Sequence, residues 1–234
     1  MSNFQHKLLS MIMGVLLVVS MFVISKEAAV FVTSQNVVVG DERPCVVIDA
    51  GHGGIDPGKV GINGALEKDL NLQIAMMVKQ FLEANDVKVV MIREGDAGLY
   101  DEDASNKKVQ DMKRRIEVMD AADPVLAVSI HQNSYTEEYV RGAQVFYYTG
   151  STVGLDLAEM IQKRLVLLDP TNTRQVKAND IYYLLKRTSI PIVIVECGFL
   201  SNQAEADKLN TQEYQEQIAW AIHIGIMQYL NANQ

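Results

Sequence analysis

At 234 residues, with 48% apolar and 21% charged side chains, the chain can hold one sizeable α/β domain and little else. Its 21 basic and 29 acidic residues give a formal charge of −8. All of the acidic residues and 19 of the basic ones lie beyond Lys26, a net −10 there, which argues against a nucleic-acid partner.

The amino terminus differs in kind from the rest. Leu8 to Ile24 is apolar apart from two serines and a glycine, and it follows Lys7. Residues 1–26 therefore read as a signal peptide or an N-terminal membrane anchor. No A-x-A cleavage site follows, which favours an anchor that stays in place. Either form implies export, and the anchor makes the membrane a partner through this segment. Residues 27–43 mix Thr, Ser, Gln, Asn and Gly with charges and read as a linker. Residues 44–234 remain as the domain, without internal repeats.

The domain opens on Cys45-Val46-Val47-Ile48-Asp49-Ala50, a strand-forming run that ends in Gly51-His52-Gly53-Gly54. This pattern delivers His52 to a sheet end, where ligand sites of open α/β sheets gather. Gly53 to Val60 comes close to the phosphate-loop pattern. Val60 has no hydroxyl for a metal, however, and Pro57 removes an amide donor from the cradle. A nucleotide role is set aside, and His52 as a metal ligand needs partners further along.

Glu67 opens a helix whose apolar residues, Leu70, Ile74, Met77, Val78, Phe81 and Leu82, share one face. Its carboxylate could simply answer the helix dipole. A strand over 87–92 follows, then an amphipathic helix marked by Val109, Met112, Ile116 and Met119, with Lys113, Arg114 and Arg115 assigned to its wet side, where one of them could meet an acidic substrate. Val125 to Ser134 repeats the opening logic: an apolar strand ends in His131. Gln144 to Tyr148 reads as a strand, Leu155 to Leu165 as a helix, and Ile181 to Leu185 as either an edge strand or a helical turn. Pro191 to Asn202 is the third instance of the pattern, and this time the strand delivers Glu196. Asn202 with Glu205 forms a capping-box pattern. The last helix runs from Thr211 to about Asn231, with His223 off its buried face. Cys45 and Cys197, the only cysteines, fall at opposite ends of two strands. Parallel neighbours would hold them beyond disulfide reach.

Three strand ends carrying His52, His131 and Glu196, with Glu67 beside the first, supply the residue types of a catalytic zinc site: two imidazoles, one carboxylate ligand and a carboxylate base. Spacing does not decide which glutamate binds metal. Chemistry favours Glu67 as ligand and Glu196 as base, and the reverse stays open.

Val47 to Gly54 with Asp56-Pro57-Gly58, the lone Glu67, Ser129 to Ser134, and Val195 to Asn202 together resemble the zinc-dependent N-acetylmuramoyl-L-alanine amidases of the type 3 family. The resemblance runs from about Pro44 to the carboxyl terminus. It implies an α/β domain with a central, mostly parallel sheet flanked by helices on both faces. It also implies one Zn2+ per chain on His52, Glu67 and His131, with Glu196 as the catalytic glutamate. The implied substrate is peptidoglycan, cut at the amide between the lactyl group of N-acetylmuramic acid and L-alanine. Asp49 is placed to steady the His52 loop or to make a purely structural hydrogen bond, and Asn133 stands as a further candidate near the substrate side. The family's blocking helix is not expected between Ser134 and Pro191. Size, anchor and the Ser129 to Ser134 wording are most similar to the germination-specific amidases of spore formers. That subgroup acts on spore cortex toward muramic-δ-lactam, which would place the chain between the forespore membranes, and some of its members use an accessory lipoprotein partner. The alternatives are a vegetative cell-wall amidase and a wall-binding protein that has lost its chemistry.

Overall fold

The computed structural model describes residue 6, residues 11–21 and residues 42–233. The chain divides into two units, Met1–Glu42 and Arg43–Gln234. In the first, residues 11–21 are helical. No helix among the described residues is long and apolar enough to cross a membrane. The rest of the expected anchor, and the linker up to residue 41, lie outside the described residues.

The second unit contains strands β1 (Cys45–Ala50), β2 (Lys88–Met91), β3 (Leu126–Asn133), β4 (Gln144–Tyr148), β5 (Lys177–Asn179) and β6 (Ile192–Phe199). Its helices are α1 (Glu67–Glu83), α2 (Lys107–Ala122), α3 (Thr152–Leu168), α4 (Tyr183–Arg187), α5 (Gln203–Leu209) and α6 (Gln212–Ala232). The strands form one sheet in the order β2-β1-β3-β6-β4-β5. The first four are parallel, and β4, with β5 beside it, runs against β6. This is the mostly parallel α/β sheet that the family resemblance implies. The apolar runs of β1, β3 and β6 are continuous because both sheet faces are covered. Val46, Ile48 and Ala50 face α1, α3 and α6, whereas Val47, Ala127 and Ile194 face α2 and α4. Each buried valine or isoleucine among them contributes roughly 1.5–3 kcal/mol. With β3 between β1 and β6, the carboxyl ends of three parallel strands lie side by side. The register pairs Asp49 with Ser129 and His131 with Glu196.

Several expectations are corrected. Arg115 is not on a wet face. It is 1% exposed, because it lies three residues after Met112 and four before Met119, on the inward arc of α2. Lys113 is exposed, and Arg114 pairs with Asp101 at the surface. His223 is buried, not off the buried face: α6 packs on both α1 and α3, so its covered arc is wider than one stripe. The imidazole lies against Phe81 and Trp220 and accepts at Nε2 from Asn85 Nδ2, 3.2 Å away. The capping box is half formed. Asn202 Oδ1 accepts from the Glu205 amide, but the Glu205 carboxylate accepts from the amides of Gly142 and Phe199 instead. The short strand β5 gives no signal in the sequence, and residues 183–187 are a helical turn. Cys45 and Cys197 form no disulfide, with β3 standing between their strands.

One buried ion pair ties α2 to the end of β1. Arg115 Nη1 donates to Asp49 Oδ1 at 2.5 Å and to the Ala50 carbonyl, its Nη2 donates to the His52 carbonyl at 2.6 Å, and its Nε donates to Asp111. Ser129 Oγ donates to the other Asp49 oxygen. Burial alone would raise the Asp49 pKa, but the Arg115 charge and the Ser129 hydroxyl hold it below its ordinary 3.8. Breaking such a pair by removing one partner leaves a buried, uncompensated charge. Arg115→Met is therefore expected to lower unfolding stability by roughly 3–5 kcal/mol in denaturant titration; a loss under about 1 kcal/mol would mean that the pair is not needed. Because the folded pKa of Asp49 is depressed, its stabilisation is present above its unfolded value of 3.8 and is lost as the pH falls through the lower folded value. The Arg115→Met protein should show a flatter acid limb.

Candidate metal centre

His52 follows β1 after Gly51, whose amide still bonds to the Ile130 carbonyl of β3. Gly51 has to lack a side chain, since a Cβ there would occupy the His131 ring. His52 itself has φ +62°, a left-handed conformation that costs a residue with a Cβ about 1–2 kcal/mol. Its cost is offset by the surroundings. Arg115 grips its carbonyl, and Arg93, buried beside it, donates to the carbonyls of Ala50 and Gly51. The imidazole is fixed from behind: Asp56 Oδ2 lies 3.0 Å from Nδ1. A carboxylate only accepts, so Nδ1 carries a proton, and Nε2, 3.2 Å from Glu67 Oε1, is the ring nitrogen that faces the site.

Glu67 is the first residue of α1, after Leu66 in extended conformation. Its carboxylate turns inward and is 2% exposed, so the helix dipole is not its main partner. Oε2 accepts from the Lys59 amide at 2.7 Å. Oε1 accepts from the Gln132 amide at 3.1 Å and also lies 3.2 Å from His52 Nε2 and 3.0 Å from His131 Nδ1. Gly58, at φ +68°, leaves room for this packing, as a Cβ would strike both Glu67 and His52. Burial opposes the charge on Glu67, but the two imidazoles outweigh it and hold the carboxyl well below the carboxylate range. Burial likewise opposes the His131 imidazolium, and Glu67, then Glu196 and Asp49, outweigh it, so the His131 pKa is raised.

His52, Glu67 and His131 bring one donor atom each within 4.8 Å of one another. Facing one carboxylate oxygen, the two ring nitrogens must either carry protons or share a cation with it, and with their lone pairs free the three groups suit a metal ion. Glu196 comes from β6, next to His131, and is 7% exposed. Its Oε1 accepts from the Tyr182 hydroxyl at 3.2 Å, and its Oε2 is buried without a partner. Burial pushes its pKa up, partly offset by His131. A carboxylate with one vacant oxygen in a desolvated place can take a proton.

The two histidines and Glu196 line a cavity of about 350 Å3, with Asp49, Tyr100 and Tyr182 among its other walls. The structure thus brings together His52, Glu67, His131, Glu196 and Asp49. It does not bring Asn133 to the cavity; that side chain accepts from the Ser134 amide instead, past a register shift in β3. Sequence reasoning misses Arg93, Arg115, Asp56 and Tyr182 as site residues. Only Asp56 has a signal, since it lies in the glycine-rich turn four residues after His52.

The family model for N-acetylmuramoyl-L-alanine amidases matches residues 46–228. The germination-specific N-acetylmuramoyl-L-alanine amidase of Bacillus subtilis (strain 168) is 35% identical over 187 residues, 79% of this chain and 78% of that one. Among solved structures, the CwlD amidase from Clostridioides difficile, in complex with the GerS lipoprotein, has a TM-score of 0.79 at 40% identity, over 81% of this chain and 100% of that chain. The catalytic domain of the amidase CwlV from Bacillus (Paenibacillus) polymyxa var. colistinus has a TM-score of 0.71 at 29% identity, over 80% and 98% of the two chains. The matched span takes in all four converging side chains, and the chain belongs to the N-acetylmuramoyl-L-alanine amidase family.

Proposed function

We propose that the amidase reaction of this chain depends on one zinc ion held by His52, Glu67 and His131, with Glu196 as base, and that its substrate is the peptidoglycan of the spore cortex. The observation that carries the chemistry is the vacant, buried Oε2 of Glu196, one strand away from His131. Two imidazoles and a carboxylate are a zinc-type donor set. Zinc, when bound, supplies Lewis acidity toward the amide carbonyl and water.

The chain's own residues do the rest. Glu196 Oε2 takes a proton as the water oxygen bonds to the lactyl carbonyl carbon, and returns it to the L-alanine nitrogen as the carbon–nitrogen bond breaks. The products are a lactyl carboxylate on the glycan and a peptide with a free L-alanine amine. Asp56 keeps the His52 ring in the tautomer that leaves Nε2 unprotonated, and Arg115 keeps its backbone in place. A cavity of about 350 Å3 is at the small end for ligand pockets. It fits the lactyl–alanyl segment, with the polymer running outside.

The cortex assignment is supported by the 35% identity to a germination-specific amidase and the 40% identity to the lipoprotein-bound CwlD amidase. We extend the latter to an accessory lipoprotein partner for this chain. The apolar run from Leu8 to Ile24 supports export and retention at the outer face of the cytoplasmic membrane.

With purified peptidoglycan, the protein should release peptides with new L-alanine amino termini. Chelation should abolish the release, and added zinc should restore it. Activity that persists with no detectable metal would overturn the metal assignment. Glu196→Gln should lower kcat by roughly 10²- to 10⁴-fold while still binding zinc; near-normal turnover in that variant would exclude Glu196 as the base. Disruption of the gene in the source organism should give spores whose cortex lacks muramic-δ-lactam. Normal cortex with unseparated vegetative cells would assign the enzyme to the vegetative wall instead.

A further inference from the structure

Tyr182 is held in place by more contacts than its position on a loop requires. Its amide and that of Ile181 both donate to Asn179 Oδ1, each at 2.8 Å. Its ring packs edge-on against Phe146 with centroids 5.5 Å apart. Its hydroxyl then reaches into the cavity and donates to Glu196 Oε1. Three anchors from β5, β4 and β6 thus converge on one phenol that the hydrolysis itself does not use.

A carboxylate at the end of a glutamate side chain turns easily about its last torsion, and its two oxygens are chemically equivalent. Glu196 has a partner on one oxygen only: Oε1 carries the tyrosine hydroxyl and Oε2 has none. We propose that Tyr182 is a positioning residue for the base, which by occupying Oε1 of Glu196 makes Oε2 the one atom that takes and returns the proton. This rests on the reading of Glu196 as the base. When a proton arrives on Oε2, Oε1 becomes the carbonyl oxygen of a carboxylic acid and still accepts from the phenol. A proton on Oε1 would instead meet the phenol hydrogen, and the hydroxyl would have to turn away. The proton is therefore kept on the side facing the cavity, and the carboxyl group does not rotate between its two transfers. Tyr182 gives up no proton in this scheme. Burial first, and then the charge of Glu196, push its own ionisation far above neutral pH.

The test is Tyr182→Phe in the zinc-loaded full-length enzyme, beside Glu196→Gln, Glu196→Asp and the Glu196→Asp/Tyr182→Phe double variant. Tyr182→Phe keeps the Phe146 contact and removes one hydrogen bond to a charged group. The expected loss in kcat is about ten- to hundredfold, with KM unchanged and the protein still folded and zinc-loaded. The shorter side chain of the Glu196→Asp variant is out of reach of the phenol, so adding Tyr182→Phe to it should cost less than about twofold. An unchanged kcat in Tyr182→Phe would overturn the proposal, and so would a loss confined to KM, which would make Tyr182 a substrate contact. An equal loss with and without the Glu196→Asp change would also sink it, because Tyr182 would then not act through Glu196. If Glu196→Gln retains full turnover, the base assignment itself fails, an outcome distinct from a silent Tyr182→Phe.

Discussion

The site depends on the grip of two buried guanidinium groups on one stretch of backbone. Arg115 and Arg93 together take the carbonyls of Ala50, Gly51 and His52, with Arg115 also neutralising Asp49. Strand β1 ends there, and a buried carbonyl left without a donor costs about 1–3 kcal/mol; the arginines serve all three, with Asn71 also donating to that of Gly51. Side-chain donors replace the missing strand neighbour. This replacement lets the chain leave the sheet sharply enough to put His52 in a left-handed conformation, with its ring turned toward β3. Arginine suits the position because its planar fork satisfies several acceptors at once and stays charged when buried. Lysine could not span Asp49, Ala50 and His52 together.

A second constraint follows from the first. With β1 and β3 in register through Asp49 and Ser129, the His131 ring lies where a Gly51 side chain would be, and both imidazoles converge on Glu67 Oε1. The N-terminus of α1 supplies that carboxylate, and the Lys59 and Gln132 amides hold it. Each of the three side chains is thus tied to a different element: His52 through the arginine grip and the Asp56 carboxylate, His131 through β3, and Glu67 through two backbone amides. Such held side chains are what a preorganised metal site requires.

How far this can be read in advance depends on which physical signal each feature leaves in the sequence. Strand ends leave a strong one, because a continuous apolar run that stops at a polar residue is hard to produce otherwise. His52, His131 and Glu196 are legible that way, whereas the parallel direction of the strands leaves no such mark and follows from the family resemblance. Arg115 leaves the wrong signal. Its charge suggests solvent, although its spacing from Met112 and Met119 puts it on the inward arc, and only a buried acidic partner 66 residues away in sequence explains the exception. His223 misleads for a related reason: single-face periodicity underestimates the buried arc of a helix packed against two others. Tyr182 and β5 leave none, since three paired residues and one hydroxyl contact have no period to detect. Asn133, two residues after His131, reads as a substrate-side candidate; its side chain accepts from the Ser134 amide and does not line the cavity.

The two glutamates show why composition and spacing could not assign the roles proposed for them. Both are buried carboxylates next to His131, one beside it on α1 and the other across the ladder on β6. Burial pushes both toward the neutral form. Glu67 escapes because backbone amides and two ring nitrogens surround its oxygens, and it stays ionised, which suits the ligand role proposed for it. Glu196 has a single neutral hydroxyl on one oxygen and nothing on the other, and its pKa is raised, as suits a group that must accept and release a proton. Exchanging the two would fail on both counts. A carboxylate already saturated by amides has no vacant oxygen for a proton, and one without amide donors would be a poorly fixed ligand. The division of labour is therefore set by how many donors the local backbone can aim at each carboxylate, a property of the turn at Lys59, the end of β3 and the middle of β6, not of the glutamates themselves.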